Sequence, residues 1–173
     1  MDKIVHRNKR FVIKEFKRKL PSRTTMVGYY MDPGKGVVMV PVISGKVLLE
    51  RQYRAPLKKW IYELPAGRLE KGESSAIAAK RELLEETGYE ATSAKYLFSS
   101  YSSPGITIEQ LPVFLMTGLK KRKSYLDRDE VIKTKLYSVK ELLKMVKNNK
   151  INDGKTIEGI LFYTQFVKRS GVR

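Results

Sequence analysis

A chain of 173 residues with 42% hydrophobic side chains is one ordinary domain with enough apolar material for a substantial core. It has no cysteine, which excludes disulfides, a thiol nucleophile and a cysteine-based zinc site. Its single histidine, His6, leaves a histidine-rich metal site or a Ser-His-Asp triad without material inside the domain, and its net charge is +17.

Taken in chain order, the pattern predicts mixed α and β. Lys9–Phe16 alternates loosely and reads as a strand, and Asp32-Pro33-Gly34 reads as a turn. Gly36–Ile43 and Lys46–Arg51 are apolar runs on either side of Ser44-Gly45, the pattern of a strand pair. Trp60–Leu64 is a short strand leading into Pro65-Ala66-Gly67. Beyond an acidic helical segment come strands near Lys95–Ser99, Leu111–Thr117 and Val131–Tyr137. Val139–Lys147 reads as a helix, and Asp153 opens a last helix over Thr156 to about Lys168. Alternating strands and helices suit a mixed sheet held between helices. Residues 1–35 read as extra strands added before that unit, and residues 36–173 as the main domain.

The most informative segment runs from Gly67 to Tyr89, GRLEKGESSAIAAKRELLEETGY. Ser74 or Ser75 can cap a helix there, and Gly88 can end it in a left-handed turn. Ala76, Ile77, Ala79, Leu83 and Leu84 are assigned to one broad apolar face, and Glu82, Glu85 and Glu86 to another. Like charges one turn apart cost a few tenths of a kcal/mol each in an isolated helix, roughly. A bound Mg²⁺ would remove that cost, because hard cations take carboxylate oxygens and keep waters for substrate phosphates. Arg81 lies at the edge of the acidic face, placed to orient one carboxylate.

Glycine, Glu73, Arg81-Glu82-Leu83, Glu85-Glu86 and Gly88 in this register resemble the signature of the Nudix hydrolases. One position departs: Tyr89 stands where the family usually has an aliphatic residue, which concerns packing rather than chemistry. The resemblance extends over roughly residues 25–165. Arg51-Gln52-Tyr53-Arg54, Glu63-Leu64-Pro65-Ala66-Gly67, Ser103-Pro104-Gly105 and Asp153-Gly154-Lys155-Thr156 are similar to the ADP-ribose pyrophosphatase branch. That branch carries a proline in the loop after the signature, and Pro104 is sixteen residues past Gly88.

The resemblance implies an α/β (α+β) fold, the Nudix α/β/α sandwich with a mixed sheet, plus N-terminal antiparallel strands. It implies Mg²⁺, with Mn²⁺ as the alternative, held by Glu82, Glu86 and the Ala66 carbonyl. Glu85 is then a ligand of a second ion or an orienter of the first, and Glu73 a structural residue near Arg81. Arg54 is a candidate for holding a phosphate or the terminal ribose, since its fork suits phosphate. Pro104 and Glu109 are placed beside the substrate. With no suitable histidine, a carboxylate must serve as general base. The family takes it from a mobile loop, here Tyr125-Leu126-Asp127-Arg128-Asp129-Glu130, and Glu130 is the residue chosen. Lys133 stands where the family often has Glu, which keeps Asp129 as a rival, with Glu109 a further acidic candidate.

The expected reaction is Mg²⁺-dependent hydrolysis of ADP-ribose to AMP and ribose 5-phosphate. The expected assembly is a homodimer in which the N-terminal strands reach the partner. No apolar run approaches the ~20 residues of a membrane span, so a soluble cytoplasmic protein is expected. Residues 1–23 and 120–173 carry 24 basic and 8 acidic side chains, a net +16, against +1 for residues 24–119. These flanks read as a lysine-rich solvated surface in preference to an RNA-attracting field, because basic and aromatic residues do not alternate along the chain. Two rival readings stand: a Nudix enzyme acting on RNA 5′ ends or nucleoside triphosphates, and a non-catalytic Nudix binding module.

Overall fold

The computed structural model describes residues 2–123 and 131–168. The N-terminal part is an antiparallel sheet of three strands, β1 (Lys3–Arg7), β2 (Val12–Lys19) and β3 (Thr25–Asp32). The strand expected over Lys9–Phe16 starts instead at Val12 and runs to Lys19, because residues 8–11 form the turn from β1. Asn8 makes the turn, its side-chain oxygen accepting from the amides of Arg10 (2.8 Å) and Phe11 (2.9 Å).

A seven-stranded mixed sheet forms the rest of the framework. Its strands are β4 (Gly36–Ile43), β5 (Lys46–Arg54), β6 (Lys59–Glu63), β7 (Ala66–Arg68), β8 (Tyr89–Tyr101), β9 (Gln110–Lys121) and β10 (Ile132–Ser138). The main order is β10-β5-β4-β9-β8, with β6 paired to β5 and β7 to β4. The β4–β9 pair is parallel and the other pairs are antiparallel. Continuous burial of Gly36–Pro41 follows from cover on both faces of the sheet. Val37 and Met39 join Ala78, Ala79 and Leu83 of helix α1 (Ser75–Thr87), with Phe114 and Met116 of β9. Val38 and Val40 point the other way, toward Leu142 and Met145 of α2 (Val139–Lys147) and Ile160 of α3 (Gly154–Phe162). The result is the expected α/β/α sandwich, and no helix among the described residues is long and apolar enough to cross a membrane.

Local detail differs from expectation in several places, of which three bear on the account. β8 runs for 13 residues, with a register shift between Tyr96 and Phe98, where only Lys95–Ser99 was expected. The last helix is capped by Asp153, which accepts from the Thr156 amide at 3.1 Å, but its final turn, Tyr163–Val167, widens to π geometry. On α1, Ile77 is 61% exposed and does not belong to the apolar face. Ala79 is two residues on, roughly 200° round the helix, and Leu83 six on, roughly 120° away, so Ile77 points off the buried stripe that they set.

The N-terminal sheet is tied to the sandwich at Met31 of β3. The Met31 amide donates to the Ile106 carbonyl at 2.8 Å, and the Ile108 amide donates to the Met31 carbonyl at 3.3 Å. The chain leaving β3, residues 33–35, thereby reaches the mouth of the clefts described next.

Candidate active site

α1 starts where Ser74 caps the Ile77 amide and stops at Gly88, whose φ of 68° is the left-handed turn that favours glycine. Between these ends, Glu82 and Glu86 sit one turn apart beside the sheet. Glu86 is 7% exposed, one of the buried residues of the helix together with Leu83 and Thr87. The acidic and apolar faces of α1 thus merge at this edge. Glu82 packs flat against the backbone of Gly67 in β7. A Cβ placed on Gly67 would lie 2.0 Å from the Glu82 carboxyl carbon, so only glycine allows this approach. The Arg68 amide donates to Glu82 Oε1 at 2.9 Å, and Arg81 Nη1 lies 3.0 Å from the same oxygen. Burial nevertheless pushes the Glu82 carboxyl above the ordinary carboxylate value, against the pull of Arg81 and the Arg68 amide.

Arg81 is the organising cation of the helix. It donates to Glu73 from Nε (3.0 Å) and Nη2 (2.9 Å), to Glu85 from Nη1 (3.0 Å), and to the Arg68 carbonyl from Nη2 (2.8 Å). These bonds raise the Arg81 pKa further above its already high value, with the Glu73 bond the largest cause. Glu73 is held below the usual carboxylate range by the Arg81 guanidinium and then by the Glu70 amide. Glu85 is turned to Arg81. Among the described residues, no three acidic or histidine side chains converge closely enough to form a complete ion site by themselves. A cation at Glu82 and Glu86 would need oxygens from the backbone, water or substrate, as an open site for phosphate chemistry does.

Two cations stand across from this edge. Arg54 donates a fork of hydrogen bonds to Glu63, 2.6 Å from Nε and 2.8 Å from Nη2, and Lys155 donates to the same carboxylate and to Asp153. Glu63 is only 2% exposed. Burial raises its pKa, but the Arg54 fork and the Lys155 charge outweigh burial and leave it below the ordinary range. The negative charge of Glu86 also reaches Arg54. Thr156 fixes the turn that carries Ala66 and Gly67: its hydroxyl accepts from the Leu64 amide at 2.8 Å and donates to Asp153 at 2.6 Å.

A cleft of about 300 Å³ opens beside these groups, lined by Arg54, Lys155, Ala66, Gly67, Arg68 and Glu109 among others. A neighbouring hollow of about 690 Å³ shares Lys35 and Gly36 with it and extends past Asp32, Ile108 and Gln110. The structure therefore brings Arg54, Ala66 and Glu109 to one cleft, with Glu82 behind Gly67. It does not bring Pro104 there. Pro104 is exposed in a turn closed by the Ile106 and Thr107 amides on the Ser103 carbonyl, and the residues after that turn reach the clefts. Asp127, Asp129 and Glu130 lie outside the described residues. Glu63, Lys155, Lys35 and Arg68 were given no role in the sequence reading. Glu63 and Lys155 lie inside segments similar to the pyrophosphatase branch, which was the available signal.

Comparison with known proteins fits this geometry. The NUDIX domain profile matches residues 10–159. The chain is 38% identical over 132 residues to the ADP-ribose pyrophosphatase of Bacillus subtilis (strain 168), covering 75% of this chain and 71% of that protein. It shares the same identity and coverage with the methanol dehydrogenase activator of Bacillus methanolicus. It is 34% identical over 145 residues to the GDP-mannose pyrophosphatase of Yersinia enterocolitica, 78% of this chain and 75% of that protein. A crystal structure of an ADP compounds hydrolase superposes with a TM-score of 0.86 over 99% of this chain and 94% of that one, at 19% identity, and so shows the shared fold. The chain belongs to the Nudix family of hydrolases.

Proposed function

We propose that this chain hydrolyses the diphosphate of ADP-ribose, giving AMP and ribose 5-phosphate. Water adds to one phosphorus, the bridging P–O bond breaks, and the two phosphomonoester products, as dianions, release two protons. The observation that carries the reading is the Glu82 carboxylate pressed against Gly67, beside buried Glu86, at a cleft that also presents Arg54 and Lys155. The B. subtilis and Yersinia relatives, named for hydrolysis of nucleoside diphosphate sugars, support the substrate class.

The donor set fits a divalent cation. Two adjacent carboxylates share one edge, and burial holds the Glu82 carboxyl above its ordinary value even with Arg81 beside it. Glu82 and Glu86, with the Ala66 carbonyl, would hold Mg²⁺ or Mn²⁺, which neutralises diphosphate charge and lowers the pKa of water. Arg54 and Lys155 bind the phosphates or the terminal ribose from the opposite side. Arg81 keeps Glu73, Glu82 and Glu85 in place, and Glu85 supports the ligand edge or a second ion. Glu130 is the proposed base, with Asp129 as rival, and Glu109 lies in the cleft beside the substrate.

The 690 Å³ hollow, which borders the turn after β3, accommodates the adenosine. β1–β3 also expose Ile4, Val5, Met26, Val27 and Tyr29, which supports a homodimer formed through this sheet. We place the activity in the cytoplasm. The test is incubation with ADP-ribose, GDP-mannose, other sugar nucleotides, dGTP and 5′-triphosphate RNA, with and without Mg²⁺, with products identified by chromatography. Mg²⁺-dependent AMP and ribose 5-phosphate from ADP-ribose is the expected result; activity confined to dGTP or RNA would overturn the substrate assignment.

A further inference from the structure

Basic and aromatic residues that lie far apart in the sequence meet on one surface. Glu50 and Gln52 of β5 are buried, so alternation sends Arg51 and Tyr53 to the opposite face. Their partners across the sheet, Tyr62 and Trp60 of β6 and Lys133 of β10, share that face. Tyr53 meets Trp60 edge-on at 5.8 Å, and Tyr62 meets Tyr137 edge-on at 6.2 Å. Cations are set between the rings. Arg51 lies 5.3 Å from the Trp60 centroid and 6.0 Å from that of Tyr62. Lys133 lies 5.6 Å from Trp60, Lys150 5.4 Å from Tyr62, and Lys135 5.3 Å from Tyr137.

The row runs into a groove of about 410 Å³ between β10 and α2, lined by Lys135, Tyr137, Glu141, Lys144 and Lys150. Glu141 is its acidic lining residue, and that carboxylate is engaged by the Ser138 amide (2.7 Å) and hydroxyl (2.6 Å). Among the described residues, Arg51, Lys133, Lys135, Lys144 and Lys150 form no ion pair. Arg54 and Glu63 lie on the other side of the β5–β6 ribbon, so this surface is separate from the cleft.

Cations clustered on one face, with no ion pair to another described residue and a single carboxylate, Glu141, in the groove, repel one another and favour an anion. The groove alone would satisfy a small one. Rings repeated along the same surface call for planar groups as well, and a strand with unpaired bases supplies both. A duplex hides its base faces and fits this surface poorly. We propose that the β5–β6–β10 face binds single-stranded nucleic acid. Bases stack on Trp60 and Tyr62, and phosphates lie along Arg51, Lys133, Lys135 and Lys150. Lysine stems are flexible enough to leave a ring and follow a phosphate as a base takes their place.

Trp60 is the chain's single tryptophan, so its fluorescence reports directly on this face. The full chain is titrated with short oligouridylate, oligothymidylate and a duplex of matched length, at low and physiological salt. Expected is saturable quenching by the single strands, weaker with the duplex and weakening with added salt. The Lys135→Glu/Lys150→Glu double variant should bind at least about tenfold more weakly while hydrolysing ADP-ribose at the wild-type rate. Tighter binding of oligouridylate would assign RNA, tighter binding of oligothymidylate DNA. Absence of quenching at low salt, or equal binding by the double variant, overturns the proposal. So does a protein-concentration-dependent change in Trp60 emission without nucleic acid, which would make the face a contact with a second copy of the chain.

Discussion

Gly67→Ala is the perturbation whose consequence the structure fixes most tightly. The new methyl would stand 2.0 Å from the Glu82 carboxyl carbon, whereas ordinary contact begins at 3.4 Å, so the carboxylate must retreat by about 1.4 Å. The Gly67 backbone is held by the pairing of β7 to β4 at Val37↔Gly67, so the end of the Glu82 side chain is what gives way. Overpacking of this kind costs about 1–3 kcal/mol of stability, which a domain of this size survives. A misplacement near 1 Å at a catalytic group costs roughly 100-fold in rate. The variant should therefore remain folded by circular dichroism and thermal melting, lose about two orders of magnitude in kcat/KM for ADP-ribose, and need more Mg²⁺ for half-maximal rate. A folded Gly67→Ala protein with wild-type kcat/KM and unchanged Mg²⁺ dependence would refute the placement of Glu82 in the ion site.

Other outcomes follow from single contacts. Glu63→Gln leaves Arg54 and Lys155 without their shared anion, and should cost on the order of 2–3 kcal/mol in urea unfolding, since Arg54 keeps some water contact. The pH dependence follows from the lowered Glu63 pKa: its contribution is fully present above the ordinary value of 4.5 and is lost as pH falls through the lower folded value. Glu63→Gln should thus flatten the acid limb of the stability curve, and an unchanged limb would contradict the assignment. Thr156→Val deprives the buried Leu64 amide of its acceptor and should cost about 1–3 kcal/mol, read as a lower urea midpoint. Lys155→Met should raise KM for ADP-ribose roughly tenfold or more while changing kcat less, and an unchanged KM would remove Lys155 from the substrate.

What the sequence disclosed depended on the range of the interaction. Helix α1 announced itself through Ser74 and Gly88, and the core strands β4 and β9 through unbroken apolar runs, because those signals are local. Ile77 was misplaced because a short amphipathic helix with acids on both edges has no clean stripe, and the sheet decides which side is inner. The β1–β2 turn at Asn8 was hidden inside a run of polar residues. The resemblance singled out Glu82, Glu86 and Ala66, the residues that the proposed ion site uses. The Arg54–Glu63–Lys155 cluster was not legible, because it joins positions 92 residues apart. The interleaving of Arg51, Trp60, Tyr62 and Lys133 was invisible for the same reason: alternation along a chain says nothing about alternation across strands.

The most direct measurement is a side-by-side assay of wild-type and Glu86→Gln protein on ADP-ribose across a Mg²⁺ titration, with AMP and ribose 5-phosphate quantified and folding checked by thermal melting. The account predicts product from the wild type only when Mg²⁺ is present, and at least about a 100-fold slower Glu86→Gln enzyme at saturating Mg²⁺. Equal turnover by a folded Glu86→Gln protein, or wild-type turnover indifferent to Mg²⁺, would contradict it.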